Sequence, residues 1–294
     1  MKRKKISKAV IAVAGYGTRF LPATKAQPKE MLPIIDKPIV QYLVEELVDS
    51  GITEIIMVTR FGQHMLEDHF DSNFELEYQL EKNGKTDRLE AIRRVSQMAN
   101  FIYVRQGKHL PYGNGTPLLC AEPLIDENED FVYVFGDDLV VSKVPCTKQL
   151  VDFWQSHRCP AVVLAAQKVP KEEVVRYGIV KFKAGSKYEV ERMIEKPDVS
   201  EAPSQLAQFG RFILNAKIIR VLKKTPLGKD NELWLSDAIH TLARKDRVLA
   251  APIKGEWVTT GDPLRYIKAM VRFALKRKDI GREFRQFLKG EANL

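Results

Sequence analysis

The chain has 294 residues, of which 45% are apolar and 29% charged, and a formal net charge of +9. Those proportions are ordinary for a globular chain and exclude wholesale disorder, while the length allows one large domain or two of roughly 150 residues. No uninterrupted apolar run approaches the roughly 18–20 residues of a membrane-spanning helix, so no membrane partner is expected.

The first residues, MKRKK, resemble the basic start of a secretory signal, and Ala12-Val13-Ala14 fits a small-residue cleavage rule. Lys8 interrupts the apolar run, however, and what remains is shorter than the ~7–15 residues such a signal needs, so no export is expected. Residues 9–14 instead read as a buried strand, ended by Gly15. After a long loop, residues 39–50 carry apolar side chains at helical spacing and stop before Gly51, a helix-end signal. Residues 54–59 form a second buried strand, and strand, helix and strand with short joints imply a parallel sheet.

Further strands are expected at 101–105, 131–135 and 161–167, with helical stretches between. From Tyr177 the texture changes: 178–183, 188–195 and 209–214 read as consecutive strands with hairpin connections. Helices return at 215–224, 233–244 and 263–277, and a tail helix over about 276–290 carries Phe284, Phe287 and Leu288 on one side. These elements predict one α/β domain over 1–294, Rossmann-like, with a mixed, mainly parallel sheet flanked by helices.

The charge is unevenly placed. Lys2, Arg3, Lys4, Lys5 and Lys8 supply five positive charges and residues 276–294 a net three more, so the ends hold eight of the nine. A nucleic-acid groove needs a basic face on the fold itself with interleaved aromatics, and no nucleic-acid partner is expected. Cys120, Cys146 and Cys159 form no CxxC pair, which argues against a disulfide framework or structural zinc and for a reducing cytoplasm. His64 and His69 are five apart and share no helical face, and no HExxH occurs.

A strand followed by Gly15-Tyr16-Gly17-Thr18-Arg19 is a place where backbone N–H groups can cradle phosphate. A dinucleotide fold would want a third glycine at Phe20, an immediate helix and an acid ending the second strand. A Walker A loop would need Gly-Lys-Ser/Thr, also absent. The next stretch of chain is more telling: Arg19, Lys25 and Lys29 lie on a loop stiffened by Pro22, Pro28 and Pro33, with Glu30 as its one acid. Three cations beside a phosphate nest suit a triphosphate. The five apolar residues 131–135, then Gly136-Asp137-Asp138, put two carboxylates at the carboxyl end of a buried strand, where α/β sheets bind ligands. Carboxylate oxygens are hard donors that Mg²⁺ shares with substrate phosphates.

The run GYGTRFLPATKAQPKEMLP, from Gly15 to Pro33, resembles the signature of the bacterial UTP–glucose-1-phosphate uridylyltransferases, or UDP-glucose pyrophosphorylases. The resemblance continues in order through Asp36-Lys37-Pro38, Arg105-Gln106, Gly136-Asp137-Asp138, Tyr177-Gly178-Ile179-Val180, Glu195-Lys196-Pro197, Gly210-Arg211-Phe212 and Asp237-Ala238-Ile239. It implies a nucleotide-binding half over about 7–140 and a sugar-phosphate-binding half over about 141–275. It further implies uridylyl transfer from UTP to α-D-glucose 1-phosphate, with UDP-glucose and pyrophosphate as products, Mg²⁺ as cofactor, and a homodimer or homotetramer.

By the same resemblance, Ala14, Gly15 and Gly17 present backbone groups to the nucleotide, while Arg19 and Lys29 hold the triphosphate. Glu30 sits by the nucleoside, and Gln106 and Gly113 read the uracil edge. Asp137 binds Mg²⁺ with Asp138 beside it, Gly178 and Glu195 hold glucose hydroxyls, and Lys196 holds the sugar phosphate. The chain departs from the pattern at Tyr16, where Leu is commoner, at Thr116 in place of a His, at Trp234 in place of a Gln and at Thr259 in place of an Asp. A related nucleotidyltransferase using another nucleotide or sugar phosphate, or a non-catalytic sugar-nucleotide-binding paralogue, stays open as an alternative.

Overall fold

The computed structural model describes residues 5–291, so the basic residues Lys2, Arg3 and Lys4 lie outside the described part. Strand β1 (Lys8–Ala12) leads into three 3₁₀ turns, Thr18–Phe20, Ala23–Lys25 and Lys29–Met31. Pro22 and Pro28 keep them from merging, because each proline lacks the N–H that a continuing helix needs. A short hairpin of β2 (Pro33–Ile34) and β3 (Lys37–Pro38) then enters α1 (Ile39–Asp49). Helix α1 buries Ile39, Val40, Leu43, Val44 and Leu47, an i, i+4 stripe that holds it on the sheet.

β4 (Glu54–Thr59) is followed by α2 (His64–His69), α3 (Phe74–Lys82) and α4 (Thr86–Ser96), then β5 (Asn100–Arg105). α5 (Thr116–Ala121) precedes β6 (Asp130–Phe135) and β7 (Asp138–Val141), and α6 (Cys146–Ser156) precedes β8 (Val162–Lys168). The second half adds β9 (Gly178–Phe182), β10 (Val190–Glu195), β11 (Leu206–Asn215), α7 (Lys217–Leu222) and α8 (Leu235–Ala243). β12 (Val248–Pro252), β13 (Glu256–Thr259), α9 (Pro263–Lys276) and α10 (Gly281–Glu291) complete it.

The central sheet has nine strands, ordered β10-β9-β11-β6-β1-β4-β5, with β8 and β12 on the other edge of β11. β6, β1, β4 and β5 are parallel, while β11 runs against β6, β8 and β9. Ala9, Ile11, Ile55 and Met57 face one core layer and Val10, Ile56 and Val58 the other, the period-two alternation of a sheet covered on both faces. The expected α/β class and mainly parallel N-terminal sheet are what the chain forms.

Two expectations need correction. β9 and β10 do make a hairpin, but β11 skips β10 and lies beside β9, because its ten residues bridge the two halves of the sheet. The strands β2, β3, β7, β12 and β13 are additional to those expected; β7 pairs with β13 in a separate ribbon, which sets Thr259 opposite Asp138. The tail helix is a separate element from Gly281 to Glu291.

One buried ion pair ties these layers together. Arg211 on β11 is 1% exposed; its Nε donates to Glu46 Oε1 of α1 at 3.0 Å and its Nη2 to the Asp138 carbonyl at 2.7 Å. Thr147 of α6 donates to the same Glu46 oxygen at 2.7 Å.

Candidate active site

Neighbouring parallel strands end side by side, so the loops after β1 and β6 meet: Ala12 pairs with Phe135 in register, just before the glycine loop and Gly136-Asp137. This is the carboxyl edge of the sheet, where open α/β folds bind ligands. A cavity of about 910 Å³ opens there. It is lined by Ala14, Gly15, Gly17, Arg19, Lys29, Glu30, Gln106, Gly113, Asp137, Asp138, Gly178, Glu195 and Lys196, which are all the residues given a role by the resemblance. Lys25 is not among them; it is exposed on the second 3₁₀ turn.

At the glycine-loop end, Lys29 Nζ lies 2.6 Å from Asp137 Oδ2. Arg19 Nη1 donates to the Gly261 carbonyl at 3.2 Å, which fixes it beside the pair. Burial works against both charges, but each holds the other ionised. Burial acts to raise the Asp137 carboxyl, yet the charge and hydrogen bond of Lys29, with Arg19 behind them, keep it below the usual carboxylate range. Lys29 is held above its ordinary value, as Asp137 and Glu30 outweigh its desolvation.

Glu30 is 1% exposed, and its Oε2 has no hydrogen-bond partner in the protein. Burial pushes its carboxyl up to about 7 against the opposing charge of Lys29. Asp138 does different work from its neighbour. Its Oδ1 accepts from Trp257 Nε1 at 2.7 Å and its Oδ2 from the Gly210 N–H at 3.1 Å. Burial and the charge of Asp137 push it up to about 6. Both of its oxygens are therefore committed to holding β7, β11 and β13 together.

Thr259, at the expected second carboxylate, lies beside Asp137; its hydroxyl accepts from the Gly261 N–H at 3.4 Å. Thr260, which no sequence motif marks, is the firmer support: its N–H and hydroxyl donate to the Asp137 carbonyl at 2.8 and 3.0 Å. Asp262 caps α9 by accepting from the Arg265 N–H at 3.0 Å, as its place before Pro263 suggests.

On the other side, Gln106 and the 111–116 loop face the glycine loop, and Tyr112 stacks on Tyr16 with centroids 5.9 Å apart. Thr116, in place of the expected His, is fully buried and donates to the Pro111 carbonyl at 2.6 Å, bracing this loop. Gly113 has φ 133°, and a Cβ there would lie 2.4 Å from the Leu233 carbonyl oxygen, so only glycine fits. Leu233 N–H donates to the Tyr112 carbonyl at 2.7 Å, Gly115 N–H to the Leu233 carbonyl at 2.9 Å, and Leu235 N–H to Asn114 Oδ1 at 2.7 Å. The loop is thus stitched to the segment that carries Trp234.

At the far end stand Gly178, Glu195 and Lys196. Lys196 has φ 44° and holds its ammonium 4.3 Å from the centre of the Trp234 ring, a cation–π contact. Burial raises the Glu195 carboxyl, with Lys196 opposing it. Tyr112, Gln208, Trp234 and Thr260 are site residues to which the sequence motifs assign no role; the aromatic beside Gly113 is the one that a sequence signal could have flagged.

A parallel sheet whose carboxyl edge gathers a glycine loop, cations and an aspartate held ionised by a lysine describes a phosphate-handling α/β enzyme. The chain belongs to the nucleotidyl transferase family, whose sequence profile it matches over residues 8–275. Within that family it is similar to the UTP–glucose-1-phosphate uridylyltransferase YngB of Bacillus subtilis strain 168, at 43% identity over 289 residues, 98% of this chain and 96% of that one. A second Bacillus subtilis UTP–glucose-1-phosphate uridylyltransferase is 40% identical over 292 residues, covering 99% and 98%. Among solved structures, the UTP-bound UGPase from Acinetobacter baumannii superposes with a TM-score of 0.87 at 37% identity, covering 97% and 99%. A UDP-glucose pyrophosphorylase complexed with UDP-glucose gives 0.84 at 37% identity, covering 93% and 100%.

Proposed function

We propose that this protein transfers the uridylyl group of UTP to α-D-glucose 1-phosphate, giving UDP-glucose and pyrophosphate. The observation that carries the reading is one cavity with the Lys29–Asp137 pair at one end and Gly178, Glu195 and Lys196 at the other. Its volume of about 910 Å³ suits a nucleotide with a second substrate beside it.

A sugar-phosphate oxygen attacks the α-phosphorus in line with the departing pyrophosphate, so one P–O bond forms as another breaks. The attacking phosphate, with a second pKa of about 6, is largely ionised at neutral pH and needs no general base. The protein must align two anions that repel each other. Arg19 and Lys29 supply positive charge to the triphosphate over the backbone of Ala14, Gly15 and Gly17. Gln106 offers both a donor and an acceptor to the base edge, next to Gly113. Lys196, released from Trp234, meets the sugar phosphate, while Glu195 accepts from sugar hydroxyls above Gly178.

Asp137 fits Mg²⁺: it offers hard oxygens, is 24% exposed, and stays ionised. Among the described residues no group of three or more His, Cys, Asp or Glu side chains could cage a metal alone. The donor set therefore suits an ion held by one carboxylate together with substrate phosphates, as Mg²⁺ often is. When bound, Mg²⁺ would neutralise phosphate charge.

Leu264, Ile267 and Phe287 are exposed on α9 and α10, which supports a homodimer or homotetramer that light scattering would detect. Cys120 and Cys146, neither of them in a disulfide, support a reducing, cytoplasmic setting. The deciding experiment is pyrophosphate release from UTP, CTP and dTTP with a panel of sugar 1-phosphates. UTP with glucose 1-phosphate is expected to be fastest. A faster pair would replace the assignment by a related nucleotidyltransferase, and no release from any pair would overturn the enzyme reading in favour of a binding paralogue.

A further inference from the structure

Gln208 on β11 is 5% exposed, yet it lines the cavity and its Nε2 has no hydrogen-bond partner in the protein. Its placement has a local cause. β11 pairs with β8 through Gln208 and Ala166, then resumes only at Phe212 and Leu164, so the strand bulges between them. Bulges re-aim side chains next to sites. Phe209 stacks on Trp257 with centroids 4.8 Å apart, and the Gly210 N–H is tied to Asp138, so the bulge is held firmly.

The amide points at one spot. A Cβ built on Gly178 would lie 3.2 Å from Glu195 Oε2 and 3.4 Å from both Gln208 Oε1 and Met193 Sδ. Gly178 leaves that spot bare, and two oxygens from different strands flank it. A buried amide with one end unpartnered is a costly choice where an apolar side chain would pack, unless a ligand completes its hydrogen bonds. A glutamine amide also turns in a broad, two-fold well about χ3, so either its carbonyl or its NH₂ can face the cavity. With the carbonyl inward it accepts from a hydroxyl that stands over Gly178. With the NH₂ inward it donates to a ligand oxygen and to Glu195.

We infer that Gln208 is a specificity-determining residue that, with Glu195, reads a hydroxyl of the sugar over the bare backbone of Gly178. The inference rests on the sugar-nucleotide reading of the cavity. It adds an uncharged polar reader from β11 to an acidic one from β10, so a sugar lacking that hydroxyl leaves both unpaired.

The test is calorimetric binding of UDP and of UDP-glucose to wild type, Gln208→Leu and Gln208→Glu, which does not depend on turnover. The sugar's share of binding is the ratio of the two dissociation constants. Gln208→Leu is expected to lower that ratio about tenfold, the scale of one lost buried hydrogen bond, while the affinity for UDP itself holds. Retained UDP affinity shows that the variant is folded, and Gln208→Glu, which keeps an acceptor, should fall between the two. With UDP-linked deoxyglucoses, wild type should lose affinity for one analogue, and Gln208→Leu should show no further loss for that same analogue. An unchanged ratio in Gln208→Leu, or equal losses for every analogue in both proteins, overturns the assignment of Gln208. If UDP-glucose binds wild type no better than UDP does, the sugar-nucleotide reading itself fails, an outcome distinct from the first two.

Discussion

Lys29 Nζ sits 2.6 Å from Asp137 Oδ2, joining the glycine-loop segment to the end of β6 across 108 residues of sequence. The contact keeps both charges in place before any substrate arrives. Replacing Asp137 by Asn keeps the shape and removes the charge. Turnover is expected to fall by about 10²–10³, the scale seen when one preorganised electrostatic group is lost. The fold should survive, since the side chain is 24% exposed and belongs to no core cluster, with a modest drop in melting temperature because Lys29 loses its partner. Full activity at limiting Mg²⁺ would remove Asp137 from the reaction.

Thr259 pairs opposite Asp138 on the β7–β13 ribbon and so stands beside Asp137. A carboxylate there would offer a second hard donor to a metal that otherwise depends on Asp137 and phosphates. Thr259→Asp should therefore lower the Mg²⁺ concentration that gives half-maximal rate. A requirement that stays the same or rises would show that the metal does not reach this ribbon. An inert wild type revived by the substitution would favour the non-catalytic paralogue.

Glu30 sets a pH dependence with an unusual sign. Its folded carboxyl titrates at about 7 against an ordinary 4.5, because burial penalises the charge. A raised value means that the stability linked to this group is complete below the unfolded pKa and is lost as pH rises through the folded one. Between pH 4.5 and 7 it removes on the order of 3 kcal/mol. Glu30→Gln should flatten that part of the stability profile, measured by denaturant unfolding at about pH 5 and pH 8, on either side of the folded value. Identical slopes in both proteins would show that Glu30 ionises freely in the folded state.

Arg211 and Glu46 make the stability counterpart of the active-site pair. Arg211→Met would strand Glu46, whose side chain is 10% exposed, and also release the Asp138 carbonyl. A loss of about 3–5 kcal/mol is expected in chemical denaturation, because a buried charge loses its partner. Glu46→Leu added to Arg211→Met should recover part of it. A single-variant loss below ~1 kcal/mol would mean that water reaches the site and screens the remaining charge.

How much of this was legible depended on whether a signal is local. The glycine loop, its prolines and the strand before Asp137 are contiguous patterns, and each fell where chain order suggested. The cap that Asp262 gives α9 is local in the same sense, since it and the Arg265 N–H are three residues apart. Asp138 reads from the sequence as a ligand-facing group beside its neighbour, but Asp137 lies in the turn after β6, whereas Asp138 opens β7 and spends both carboxylate oxygens on other strands. Its partners Trp257 and Gly210 are 119 and 72 residues away, so nothing near it announced the commitment. Gln208 was invisible for a related reason: only the bulge of β11 against β8 brings it to the cavity, and an orphaned amide is a property of surroundings. Trp234 stood out as a departure, but its partner Lys196 belongs to another strand end.

The three hydrogen bonds that stitch residues 112–115 to Leu233 and Leu235 span the two halves of the chain. With no room for a side chain between Gly113 and Leu233, the wall formed by residues 112–115 and the wall carrying Trp234 are joined as one plate. To widen the mouth on either side, the plate must tilt as a whole or break several bonds together. An occupant at one end thus has a lever on the other. Such leverage is two-way by thermodynamic necessity: whatever factor a bound nucleotide imposes on the affinity for sugar phosphate, the sugar phosphate returns to the nucleotide.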